Sequence, residues 1–154
     1  MRRMMFVLLV LALAACGGKH TDQKTTETPP PGDLAPATLS PVIVELQQDY
    51  EALLGSQQAV SEIWDKLAAN QEVQCGNYPA VLSAEAISAA GDPAYQPLAD
   101  LLRSAAIDLD HALAVWKAEC ANPRRMPPPD VINEGRLAAR AAGDALKEAE
   151  PLLA

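Results

Sequence analysis

Three cysteines, Cys16, Cys75 and Cys120, and two histidines, His20 and His111, are the only thiols and imidazoles in the 154 residues. They are too few for a His-Glu-x-x-His zinc site or a histidine-rich metal cluster. No Cys-x-x-Cys pair and no neighbouring histidine lowers a thiol pKa, so redox or nucleophilic cysteine chemistry has no support. Cys-x-x-Cys-His, Gly-x-Ser-x-Gly and glycine-rich phosphate loops are absent as well. Asp108 and His111 form a single Asp-x-x-His pair, whereas a di-metal centre in a helical bundle needs two Glu-x-x-His pairs and two further glutamates. The 20 Asp and Glu residues offer carboxylates in plenty, but no spacing nominates an acid–base pair. The reading is a non-enzymatic chain without metal or cofactor, whose cysteines are there to be modified or cross-linked.

The elements that must position those cysteines follow from composition. Hydrophobic residues make up 49% of the chain but aromatic ones only 4%, and the formal net charge is −8. Alanine and leucine supply most of the apolar fraction, which favours helix over sheet. A chain this acidic lacks the basic surface that carries nucleic-acid affinity, so a nucleic-acid partner is excluded.

Arg2 and Arg3 precede an unbroken apolar run from Met4 to Leu13. As a helix that run is about 15 Å long, half of a ~30 Å hydrocarbon core, and its flanks fit a secretory signal. Leu13-Ala14-Ala15-Cys16 follows, directly before Gly17-Gly18. This tetrapeptide resembles the lipobox of bacterial lipoproteins, and the resemblance covers residues 1–17 only. It implies removal of residues 1–15, a diacylglyceryl thioether on Cys16, and an amide-linked third acyl chain. Two or more buried chains, at about 0.8 kcal/mol per CH₂, make a durable anchor. The alternative is an ordinary signal peptide cut after Ala15. Family behaviour with Gly17 after the cysteine places the protein at the outer membrane of a two-membrane cell, or otherwise on the outer face of the cell membrane. Loss of Arg2 and Arg3 takes the net charge from −8 to −10.

Residues 16–38 are rich in Thr, Pro and Gly and nearly devoid of large apolar side chains, so they read as a disordered tether that includes His20. Residues 39–154 read as the folded domain. Leu39, Ile43, Leu46, Tyr50, Leu53, Val60, Trp64 and Leu67 alternate in steps of four and three, interrupted only at Gln57, and predict an amphipathic helix from about residue 40 to residue 72. Leu98, Leu102, Ala105, Leu109, Ala112 and Trp116 predict a second, broadened by Leu101 and Leu113 and ended near Asn122-Pro123. A third starts near Asp130 as N-cap, and its seam of Ile132, Gly135, Ala139, Ala142, Leu146, Ala149 and Leu153 is mostly small, permitting close helix approach. Pro79 to Ala90 reads as a short helix closed by Gly91.

Exported into an oxidising compartment, Cys75 and Cys120 have one intramolecular pairing open to them. A bridge requires Cα atoms within about 7 Å, so the ends of the first two long helices must lie together and those helices must run parallel. The chain between them then climbs back more than about 35 Å, which a short helix and its flanks can span. The expected fold is all-α: an up-down four-helix bundle with three long helices and one short one. Closing this loop disfavours the unfolded chain by about 4 kcal/mol.

At the bridged end, Arg124 and Arg125 stand beside three prolines on an acidic chain and suit contact with a carboxylate-rich envelope protein. Trp64 and Trp116 fall on apolar stripes, where each indole N–H needs a partner, with Gln57 or a helix-end carbonyl to serve. The function expected is that of a membrane-anchored adaptor, scaffold or accessory subunit. The alternative is a bundle that holds a small apolar ligand near the two tryptophans.

Overall fold

The computed structural model describes residues 40–121 and 126–154. Three α-helices dominate them: α1, Pro41–Ala68; α2, Gln96–Ala121; and α3, Pro129–Ala149. Pro41 occupies the first turn of α1, where a missing N–H costs nothing, and the Ser40 carbonyl accepts from Ile43 and Val44. The helix stops four residues short of the expected end. Asn70 is left-handed at φ 56°, its N–H bonds the Leu67 carbonyl, and the Gln71 N–H reaches back to Lys66. This is the paired closure of a Schellman motif with Asn in the position glycine usually takes.

Side-chain contacts fix the helix directions. Trp64 and Trp116 meet edge to face with ring centroids 6.3 Å apart, so the last third of α1 lies beside the last third of α2. Trp64 also lies against Gly135 in the first third of α3, while Gln57 reaches Ala139, and Gln47 reaches Leu153 beyond the helix. Hence α1 and α2 are parallel, and α3 runs against both. The expected stripes face inward: Ile43, Leu46, Leu53, Val60, Trp64 and Leu67 from α1, and Leu98, Leu102, Ala105, Leu109, Ala112, Leu113 and Trp116 from α2 are buried. Tyr50, on the same α1 stripe, is half-buried.

Between α1 and α2 the expected short helix is a different object. Pro79 to Ala90 carries only one 3₁₀ turn, Ala84–Ala86, in an otherwise irregular path. Flanking side chains take up its backbone carbonyls. Ser56 Oγ donates to the Ala80 carbonyl at 2.8 Å, shared with Ala52 in its own helix, and Arg103 Nε donates to the Ile87 carbonyl at 2.9 Å. Ile87 and Ala89 are buried, so the segment fills the groove that a fourth helix was expected to occupy. An irregular chain covers more distance per residue than a helix, which suits a long climb. Gly91 does not cap a helix. With Ala90 it forms the left-handed centre of a turn closed by the Asp92 N–H and Ala89 carbonyl.

The third helix differs from its sequence reading at both ends. Pro128, not Asp130, holds the N-cap position, and Asp130 lies in the first turn, where its charge suits the helix dipole. Past Ala149 the chain tightens into a 3₁₀ turn, Glu150–Leu153, at Pro151. The inner face of α3 is mostly small residues, as expected: Gly135, Ala138, Ala139, Ala142 and Ala149 are buried, with Leu146 the one large side chain among them. The large side chains of α1 use the room they leave. A Cβ at Gly135 would overlap the Trp64 ring, and one at Gly143 would come 3.1 Å from Gln57 Nε2.

These two glycines make the packing testable. Alanine favours a helix interior by about 1 kcal/mol over glycine. At Gly135 the rigid indole cannot yield, so Gly135→Ala is expected to destabilise the fold by a net ~2 kcal/mol. At Gly143 the neighbour is the flexible end of Gln57, so Gly143→Ala is expected to be neutral or mildly stabilising. Urea denaturation of both variants distinguishes them.

Candidate functional site

Sequence reasoning nominated Cys16, Cys75, Cys120, Arg124 and Arg125. Cys16, Arg124 and Arg125 lie outside the described residues, together with residues 1–15, read as a signal segment, and 16–38, read as a tether. Cys75 and Cys120 are brought together: their sulfurs are 2.05 Å apart and their Cα atoms 5.6 Å apart, across 45 positions of sequence. Cys75 is exposed and Cys120 half-buried, at the end of the bundle opposite the start of α1. Beside the bridge, Lys117 Nζ stands 5.7 Å from the Tyr78 ring centroid, within range of a cation–π contact.

The two tryptophans are core. Trp64 is 1% exposed and Trp116 4%, and their edge-to-face contact is worth about 0.5–1.5 kcal/mol beyond area burial. Neither indole N–H has a hydrogen-bond partner among the described residues. Gln57, the expected partner, instead directs Nε2 to Ser61 Oγ at 3.0 Å and to the Ala139 carbonyl at 3.4 Å.

A cleft of about 230 Å³ does open over Trp64, between α1 and α3. Gln57, Ser61, Trp64 and Asp65 line it from α1, and Arg136, Ala139 and Arg140 from α3. Its character is polar, unlike the apolar pocket expected near the tryptophans, and Trp116 is not among its walls. Arg136 Nε is 3.3 Å from Asp65 Oδ1, tying the helices across the cleft mouth. Sequence reading passed over Arg136 and Arg140, although their spacing of four residues, flanking the small seam at Gly135 and Ala139, was the available signal.

His111 is exposed, off the buried α2 seam of Leu109, Ala112 and Leu113, and its Nε2 is 3.1 Å from Glu134 Oε1 on α3. No group of three or more His, Cys, Asp and Glu side chains is arranged to hold a metal ion among the described residues. None of the described helices is long and apolar enough to cross a membrane.

Two carboxylates on α1 have shifted titrations. The hydrogen bond and charge of Lys66 hold Glu62 below the ordinary carboxylate range. Burial, reinforced by the charge of Glu45, pushes Asp49 above it. The folded chain thus binds the Asp49 proton more tightly than the unfolded chain. Stability from this group is present below the ordinary carboxylate pKa and is lost as pH rises through the raised value. Asp49→Asn is expected to raise the melting temperature at neutral pH, and that gain should shrink once the medium is acid enough to protonate Asp49 in both states.

Searches of family models, curated proteins and solved structures match nothing to this chain.

Proposed function

We propose that this protein is a lipid-anchored envelope lipoprotein whose helical domain is a non-enzymatic adaptor, scaffold or accessory subunit. The observation that carries the reading is the closed Cys75–Cys120 bridge. Such bonds persist in exported proteins and are rare where glutathione and thioredoxin keep thiols reduced. It agrees with the lipobox-like Leu13-Ala14-Ala15-Cys16 and the polar, proline-bearing stretch behind it. In this reading Cys16 carries the acyl chains and residues 17–38 are the spacer to the domain. In this reading the spacer leads in sequence into the start of α1, and the bridge lies beyond the other end of that helix.

The partner in this reading is another envelope protein, with Arg124 and Arg125 as the contact. They come three and four residues after the end of α2 in sequence, in a chain of net charge −8. Guanidinium forks pair with carboxylates in two parallel hydrogen bonds, so an acidic partner segment is the matching surface.

Intact mass analysis of protein from detergent-solubilised envelopes tests the anchor. The expected species begins at Cys16 and carries the mass of a diacylglyceryl group with one further acyl chain. It should partition into the detergent phase, and Cys16→Ser should abolish both acylation and partitioning. A non-acylated chain that retains Met1 and stays in the aqueous phase overturns the reading. For the partner, replacing Arg124 and Arg125 by serine is expected to abolish co-purification of an envelope protein, and unchanged recovery disposes of that contact.

A further inference from the structure

The geometry points to the cleft over Trp64 as a binding site for a small dicarboxylate, an inference that does not depend on the lipid anchor. Three observations carry it. The first is charge: Asp65, Arg136 and Arg140 leave the cleft with one net positive charge on a molecule whose overall charge is −8. An anion is repelled by most of this surface and attracted here.

The second is the state of the donors. Asp65 engages Arg136 through Nε, which fixes the guanidinium at the cleft mouth and leaves its terminal nitrogens uncommitted. The side chain of Arg140, one helical turn further along α3, makes no hydrogen bond or ion pair among the described residues. Side chains at this spacing start about 6 Å apart, a separation that two carboxylates of one short ligand can match. Gln57 Nε2 donates to Ser61 Oγ, which leaves the Ser61 hydroxyl proton free to donate inward.

The third is shape. Ala139 forms the α3 wall and the indole of Trp64 the floor, so the cleft is a recess between helices rather than open helix surface. At about 230 Å³ it is smaller than the roughly 300–1,000 Å³ of drug-sized pockets. That volume suits a ligand of few heavy atoms. Its position beside a buried tryptophan also supplies a reporter, because a charge placed over the ring alters indole emission.

Titration of the full domain with sodium succinate, at ionic strength held constant with sodium chloride, tests the site. A saturable change in tryptophan emission is expected, with backbone amide NMR shifts concentrated at Ser61, Arg136, Ala139 and Arg140. Acetate should bind more weakly than succinate. Arg140→Gln should weaken succinate at least about tenfold, the scale of one lost charge-assisted hydrogen bond. Lys147→Gln, a cation outside the cleft, should leave binding unchanged. Circular dichroism and melting temperature of each variant separate lost binding from lost folding. A linear response equal to that of sodium chloride overturns the inference. So do shifts centred elsewhere, acetate binding as tightly as succinate, or wild-type affinity in folded Arg140→Gln protein.

Discussion

A bridge between Cys75 and Cys120 ties the chain seven residues past α1 to the last turn of α2. Helices that end together run in the same direction, and the chain between them must travel the length of α2 to begin again. An antiparallel pair would need only a short turn. Much of the irregular structure follows from this detour, including the carbonyls of Ala80 and Ile87 that are met by Ser56 and Arg103. Those two bonds substitute for the internal ladder that a helix would have supplied, because buried backbone groups need partners wherever the chain is irregular. Ser56 is the only buried polar side chain among the described residues, and its two carbonyl partners account for it.

Large side chains packed against a nearly bare helix form the second element of the design. The inner face of α3 presents Gly135, Ala138, Ala139 and Ala142, which bury little area of their own. They let Trp64 lie against the α3 backbone, and a buried tryptophan contributes about 5 kcal/mol as an upper figure from its ~200 Å². A helix of larger residues would stand further from α1 and leave the indole fewer contacts. The glycine costs about 1 kcal/mol of helix propensity in exchange.

The sequence made the helical stripes legible because leucine, isoleucine and tryptophan at steps of three and four have one economical fate. It made the bridge legible because a domain read as exported and holding two thiols has one intramolecular pairing open to it. The stop at Asn70 escaped notice, since the apolar stripe continued to Leu67 and asparagine is a less conspicuous terminator than glycine. The region from Pro79 to Ala90 misled for a related reason. Its alanines and glutamate have helical propensity, but the side chains that fix its path, Ser56 and Arg103, belong to other elements. Gln57 showed itself as a break in the stripe, yet its partners, Ser61 and Ala139, could be known only after α3 was placed against α1. Arg136 and Arg140 sit on what looked like an ordinary solvated face until Asp65 and Trp64 were set opposite them.

The cleft and the close helix packing share one origin. Ala139 lies one turn from Gly135 on the face of α3 that approaches α1, and it forms a wall of the cleft as well as part of the buried core. Residues small enough to admit Trp64 are also too small to fill the space above it, so a recess remains between the two helices. Its polar rim then comes from the nearest outward positions, Asp65 on α1 and Arg136 and Arg140 on α3, with no loop needed to assemble it. A site of this kind is only as well defined as the helix pair that carries it. Positions that set the α1–α3 distance, Gly135 above all, therefore bear on the cleft without touching anything bound there, because a change in that distance moves the guanidinium groups relative to Ser61 and Gln57.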